Sequence, residues 1–210
     1  MLQKKMNKVA VIYSSTILKK INFTFKKGSK ILDVGCGTGT DAWNFINKKK
    51  LKTYAVDVYK HYNIDKIKGL NFKTGSVLSL NFKDKEFDYV FMHDVLHHVD
   101  EKDQKQEKHL KALHELKRVS KPGGNIIIVE ANRYNPLFYP HMVLMEKHNH
   151  FKQSYFIRII KKVFPQSQFK FFEAHVYPPA LNKLFNIYEY IMERFVPKQF
   201  IAYNVAIIKI

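Results

Sequence analysis

Cysteine is almost absent from this 210-residue chain: Cys36 stands alone, so no disulfide framework can hold the fold. No apolar run approaches the ~18 residues that span a bilayer. The N-terminus starts basic, but its apolar stretch over 9–13 is short and Lys19 and Lys20 soon break it, which is no secretory signal. Internal repeats and low-complexity linkers are missing too. These absences predict a soluble, cytoplasmic protein of a single domain. The 46% apolar content is enough for a packed core and excludes wholesale disorder.

Acidic residues are also few, 18 against 36 basic ones, which leaves a formal charge of +18. Arginine supplies only four of the basic residues (Arg118, Arg133, Arg158 and Arg194). Lysine is a solvated point charge, whereas arginine is suited to bidentate phosphate and base recognition. The balance therefore reads first as a lysine-rich solvated surface. An anionic partner, whether nucleic acid, acidic lipid or acidic substrate, is the sharper alternative that composition leaves open.

Strands alternate with helices along the first 130 residues. An N-terminal helix around 9–17 is followed by strands over 30–34, 51–58, 71–74, 87–92 and 125–130. Helices are predicted over 41–47, weakly over 63–68, and from about 103 with Leu110, Leu113, Leu116 and Val119 as its buried stripe. Asp103 and Gln106 have capping-box spacing, and Lys121-Pro122-Gly123-Gly124 reads as the stop and turn after that helix. Such alternation means a parallel sheet covered on both faces. The last 80 residues are aromatic. They predict a lid segment over 133–168 with a helix at 155–163, then a strand (169–176), an amphipathic helix (181–195) and a closing antiparallel strand (200–210).

The first strand runs into Gly35-Cys36-Gly37-Thr38-Gly39 and then a helix, an arrangement that lets backbone approach a ligand closely. A dinucleotide fingerprint would place a third glycine where Thr40 stands, and no Walker lysine follows. Two acids accompany the loop instead. Asp57 ends the second strand 22 residues beyond Gly35, placed to accept both hydroxyls of a ribose. Asp33 precedes the loop and faces the crevice where an amine or cation would sit. Two carboxylates and no phosphate clamp favour a positively charged, ribose-bearing cofactor.

ILDVGCGTG (31–39), AVDV (55–58), FDYVFMHDVLHHV (87–99) and LKRVSKPGGNIIIVE (116–130) resemble, in order, the motifs of class I S-adenosylmethionine-dependent methyltransferases, in their small-molecule, type 11-like branch. The likeness is strong over about 28–132. It implies a Rossmann-like, doubly wound α/β fold with a seven-stranded sheet, mostly parallel, whose last strand is antiparallel. It divides the single domain into a helical cap (1–27), a cofactor-binding core (28–132), a lid or acceptor segment (133–168) and a closing strand-helix-strand (169–210). It makes Asp33, Gly35, Cys36, Gly37 and Gly39 the methionine-side loop, Asp57 and Val58 the ribose side, and His93 a flank of the methionyl portion. Relatives often carry an acid for the adenine amine where this chain has Gly75-Ser76-Val77; the Ser76 hydroxyl and Val77 backbone would serve more weakly.

The acceptor is less legible. His93, His97, His98, Glu130, His141, His148 and His150 are candidate bases, with His97 and His141 favoured as base or positioner and Tyr134 and Tyr139 as pocket walls. The structural alternative, that these side chains pack and cap their own segments, stands beside each assignment. The tetrad of exocyclic-amine nucleic acid methylation is missing after the fourth strand, and Cys36 belongs to the loop rather than to ring-carbon chemistry. Sequence-specific nucleic acid and a metal are therefore not expected. The leading reading is methyl transfer to a small molecule at oxygen, nitrogen or activated carbon. The alternatives are a lipid, quinone or glycan at an anionic membrane, reached through the basic amphipathic helix at 155–163, and a non-catalytic cofactor-binding protein. Oligomeric state has no signature in the sequence.

Overall fold

The computed structural model describes residues 7–101, 103, 105–147, 149–175 and 179–210, except the side chains of His141 and Pro179. Seven strands form one sheet in the order β3-β2-β1-β4-β5-β7-β6. They are β1 (Lys30–Val34), β2 (Lys52–Asp57), β3 (Asn71–Thr74), β4 (Phe87–His93), β5 (Ser120–Ala131), β6 (Gln168–Phe172) and β7 (Tyr203–Lys209). The pairings among β1 to β5 are parallel, and β7 runs antiparallel to both neighbours. The seven-stranded, Rossmann-like expectation is met. Strand order reverses beside β1, so the glycine loop leaves the sheet at its switch point, where open α/β sheets bind ligands.

Both faces of the sheet are apolar, and β5 shows why. Ile126 and Ile128 point into one core layer with Leu113, Leu116 and Phe156, while Ile127 and Val129 point into the other with Ile17, Ile21 and Phe45. A period of two with isoleucine or valine at each position leaves no face that tolerates water. Among the described residues α1 (Lys8–Ile21), α2 (Thr40–Asn47), α3 (Gln106–Val119) and α4 (Gln153–Val163) cover it, while α5 (Asn182–Phe195) lies outside these core layers with Met192 buried. Each fully buried branched or aromatic side chain contributes roughly 1.5–3 kcal/mol. The Asn7 side chain caps α1 by accepting from the Val9 nitrogen at 2.9 Å.

Several local expectations are corrected. Asp103 does not cap α3; Lys105 stands at the N-cap without a side-chain cap, and its nitrogen donates to Asp100 Oδ2 at 3.0 Å. Lys121-Pro122-Gly123-Gly124 is a bulged entry to β5 rather than a turn, because Ser120 already pairs with Phe87 before the register shifts. The weak helix at 63–68 is one 3₁₀ turn, Ile64–Lys66. The described part of the sixth strand stops at Phe172, and the last strand starts at Tyr203 after a 3₁₀ turn, Lys198–Phe200. Helix α4 packs on its own domain: Phe156, Ile159 and Ile160 are buried in the core shared with α3. Its apolar face is already spent on the fold.

Candidate functional site

The glycine loop takes its shape from positive backbone φ at Gly35 (+70°), Gly37 (+48°) and Gly39 (+79°). At Gly35 a Cβ would lie 2.3 Å from Val95 Cγ2, and at Gly39 one would lie 2.5 Å from Ile67 Cδ1. Only glycine satisfies both the left-handed conformation and the close approach. The loop is pinned from the neighbouring strand, since the Gly37 nitrogen donates to Asp57 Oδ2 at 2.7 Å. Asp57 Oδ1 receives the Tyr59 nitrogen at 3.3 Å, which leaves the carboxylate further acceptor capacity.

A cavity of about 570 Å³ opens over these residues, lined among others by Gly35, Gly37, Asp57, Val58, Ser76, Val77, Asp94 and His98. That volume suits a nucleoside-sized ligand. Ser76 Oγ accepts from the Leu78 nitrogen at 3.2 Å and so shapes the far wall as well as lining it. Cys36 is buried, and burial pushes its thiol up and away from reactivity.

Asp33 lies behind the loop, 2% exposed, and its Oδ2 has no hydrogen-bond partner among the described residues. Burial raises its pKa well above the carboxylate range. Asp41 and Asp57 add to this, against the opposing pull of His93 and the Ala42 backbone. An orphaned buried carboxylate oxygen asks for a cation or a donor. The ammonium of a methionyl group would supply one, Asp57 would take the ribose hydroxyls, and the glycines leave room for the backbone to follow the ligand. The residues present fit S-adenosylmethionine.

His93, at the end of β4, is held by a neighbour that the sequence reading missed. Its Nδ1 lies 2.9 Å from Asp41 Oδ2, and Asp41 also accepts from the Ser14 hydroxyl. Burial alone would depress the His93 pKa, but Asp41, with help from Asp94 and Asp33, raises it to about 9. Tyr13 from α1 and Tyr203 from β7 join hydroxyls, and the Tyr203 ring sits 6.1 Å from that of His93. Asp41, Asp94, Tyr13 and Tyr203 were therefore invisible as a group: they come from four elements, and each is ordinary in its own segment.

His97, expected as base or positioner, lies where it can position the turn after β4. It is fully buried behind the 3₁₀ turn Leu96–His98 and lies off the cavity wall, with Nδ1 2.6 Å from Glu130 Oε2. Burial opposes its protonation, yet Glu130 raises its pKa. The other Glu130 oxygen accepts from the Val95 and Leu96 nitrogens at 3.1 and 2.6 Å, so this pair holds the turn. Asp94, His97 and Glu130 bring ligand-type atoms within 4.8 Å of one another, but those hydrogen bonds already engage both Glu130 oxygens. His98 does line the cavity and pairs with Glu101 at 3.0 Å. His150 is buried, its ring 4.2 Å from that of His97. Tyr134 and Tyr139 face each other at 6.2 Å and lie off the cavity wall. The His141 side chain and the whole of His148 lie outside the described residues.

Known proteins agree with this geometry. The methyltransferase domain family matches residues 32–128. An uncharacterized methyltransferase from Schizosaccharomyces pombe is 34% identical over 130 residues, 55% of this chain and 44% of that protein. A demethylmenaquinone methyltransferase from Staphylococcus saprophyticus is 32% identical over 127 residues, 56% of this chain and 50% of its own. The chain thus spans about half the length of the curated relatives it matches. A solved S-adenosylmethionine-dependent methyltransferase from Archaeoglobus fulgidus shares the fold, with a TM-score of 0.69 at 16% identity over 96% of this chain and 94% of that one. Loop, acids and strand order thus agree with the match of residues 32–128 to the methyltransferase domain family, and the whole chain has the fold of a solved S-adenosylmethionine-dependent methyltransferase.

Proposed function

We propose that this protein transfers the methyl group of S-adenosylmethionine to a small-molecule acceptor. The observation that carries the reading is the pair of carboxylates around one loop: Asp57 bonded to Gly37 at the cavity wall, and Asp33 buried behind it with an open oxygen. When bound, the cofactor supplies an already activated methyl on a sulfonium. Asp33 neutralises and orients the ammonium end. Asp57 fixes the ribose, and Ser76 with the Val77 backbone borders the base. The protein's contribution is then mainly positioning, because an in-line displacement at an activated carbon needs alignment more than acid or base catalysis. The Glu130–His97 pair keeps Val95 against Gly35 and so holds the loop's shape.

The test is calorimetric titration with S-adenosylmethionine and S-adenosylhomocysteine, followed by transfer of labelled methyl to a panel of small metabolites. Binding with turnover on at least one small molecule is the expected result. Binding without turnover would mark a non-catalytic cofactor-binding protein.

One observation favours a second reading, an acceptor held at a lipid surface. The outward face of α5 carries Leu184, Ile187, Ile191 and Phe195, all exposed, on a chain of charge +18. Co-flotation with anionic vesicles at low salt supports it, and its absence removes it. We place the protein in the cytoplasm, in keeping with its lone thiol.

A further inference from the structure

Two carboxylates on the cavity wall lie outside the glycine loop and the second strand: Asp100, which is paired with Lys108 at 2.7 Å, and Asp94. Its backbone is left-handed, φ +52°, a conformation that non-glycine residues keep where the surroundings enforce it. The surroundings here are explicit. The Asp94 nitrogen donates to the Val129 carbonyl at 2.9 Å, and Oδ1 accepts from the Ala131 nitrogen at 2.7 Å. The side chain is thereby clamped between the ends of β4 and β5. Its other oxygen, Oδ2, lies 3.5 Å from His93 Nε2, beyond a good hydrogen bond, and that nitrogen has no hydrogen-bond partner among the described residues. The Asp94 side chain remains 30% exposed.

The charges around this point are unequal. Asp41 and Asp94 converge from α2 and the end of β4 on the single imidazolium of His93, and the Asp33 carboxyl behind them is held protonated by burial. From α1 and β7 the facing groups are the Tyr13 and Tyr203 hydroxyls. Burial, together with the field of Asp94, raises their pKa values and keeps both protonated. Lys108 borders the cavity but is paired with Asp100 at 2.7 Å. The acceptor end therefore keeps one carboxylate in excess, and the imidazole on the cavity wall, His98, is already paired with Glu101 at 3.0 Å. An alkoxide or phenolate would be repelled there, and a neutral alcohol would find nothing to take its proton. An amine, once it has given its ammonium proton to water, attacks through its own lone pair and needs no further base.

We propose that Asp94 receives the acceptor and that the acceptor presents a small primary or secondary amine. This deepens the function proposed above and rests on it. The Asp94 carboxylate accepts one N–H of the neutral amine and leaves the nitrogen lone pair toward the methyl. The N–C bond forms as the S–C bond breaks, sulfur keeps the electron pair as a thioether, and nitrogen becomes an ammonium that later gives its extra proton to water. Positive charge moves from sulfur to nitrogen, and a fixed carboxylate beside the nitrogen stabilises that charge as it develops.

The test pairs amines with alcohols of the same skeleton, benzylamine with benzyl alcohol and phenethylamine with phenethyl alcohol among a wider set, in labelled-methyl transfer by wild type and Asp94→Asn. Asparagine keeps the shape, tolerates the left-handed backbone and can still accept from the Ala131 nitrogen. Amine members are expected to turn over and their alcohols to stay unmodified. The variant is expected to lose about 30-fold in kcat/KM, the range of one charge-assisted hydrogen bond, while its calorimetric Kd for S-adenosylmethionine moves less than about threefold. Turnover of alcohols in place of amines overturns the proposal, as does wild-type turnover by Asp94→Asn, or cofactor binding with no amine consumed. Failure of the wild type to bind the cofactor is a separate result, and it overturns the underlying methyltransferase reading.

Discussion

The Gly37 nitrogen lies 2.7 Å from Asp57 Oδ2, so the carboxylate that would receive the ribose also clamps the loop that would receive the methionyl end. Removing it disturbs both halves of the cofactor site. Asp57→Ala is expected to weaken S-adenosylmethionine binding by about 1.5–3 kcal/mol, the worth of hydrogen bonds to a charged group. Titration calorimetry measures this, and wild-type affinity in the variant would place the ribose elsewhere.

Gly35 and Gly37 separate two effects of glycine. Both have positive φ, but a Cβ at Gly35 meets Val95 at 2.3 Å, while one at Gly37 meets nothing within 4 Å. Gly37→Ala should cost about 1–2 kcal/mol of stability through backbone conformation alone. Gly35→Ala should cost clearly more, and adding Val95→Ala should recover part of the difference. Urea denaturation of the three variants gives the comparison.

His93 and Asp41 predict a pH window. The His93 pKa is raised in the fold from 6.5 to about 9, so its contribution is fully present below 6.5 and disappears as pH rises through about 9. The Asp41 pKa is lowered: burial opposes this, but His93 and the Ser14 hydroxyl outweigh it. Its contribution is present above 3.8 and lost as pH falls below that. Asp41→Asn should therefore destabilise the protein by on the order of 3 kcal/mol near neutral pH and much less above about pH 10. Thermal melts across that range show whether the difference closes.

Asp33 predicts a pH dependence of binding rather than of folding. Burial keeps the carboxyl protonated above the usual range, and an arriving ammonium favours the ionised form. Affinity for S-adenosylmethionine should rise with pH as Asp33 ionises, and Asp33→Asn should flatten that slope. Calorimetry in wild type and variant from about pH 5 to 8 is the measurement, and parallel slopes would remove Asp33 from the ammonium site.

Glu130 and His97 test positioning against catalysis. Glu130→Ala leaves two backbone nitrogens and a buried imidazole without their acceptor and should cost about 3–5 kcal/mol. Glu130→Gln, which keeps the oxygen facing the Val95 and Leu96 nitrogens, should be milder. If His97 only holds the turn, its replacement by Gln lowers the melting temperature while kcat stays within about threefold at low temperature.

Much of the cofactor half was legible in the sequence because its signals are local. Strand, glycines and Asp33 occupy one short stretch, and Asp57 ends the next strand at the spacing a ribose ligand needs. Ile126 to Val129 announced a strand buried on both faces. The acceptor half was not legible, because Tyr13, Asp41, Asp94 and Tyr203 meet only after α1 docks on α2 and β7 enters the sheet. The side that His97 faces was not legible for a related reason: its neighbour His98 faces the cavity, but a 3₁₀ turn swings consecutive side chains apart. The helix at 155–163 has the pattern of a membrane-surface element and equally of a packed one, and its apolar residues Phe156 and Ile160 lie in the core with α3 and the sheet. Periodicity gives an apolar face but not its partner.

Strand β7 lies between β5 and β6 and pairs with both, although it is the last strand in the chain. Until β7 enters the sheet, β5 and β6 therefore each leave an edge bare. A chain shortened before Tyr203 would present two unprotected ladders to its neighbours, the geometry that seeds aggregation.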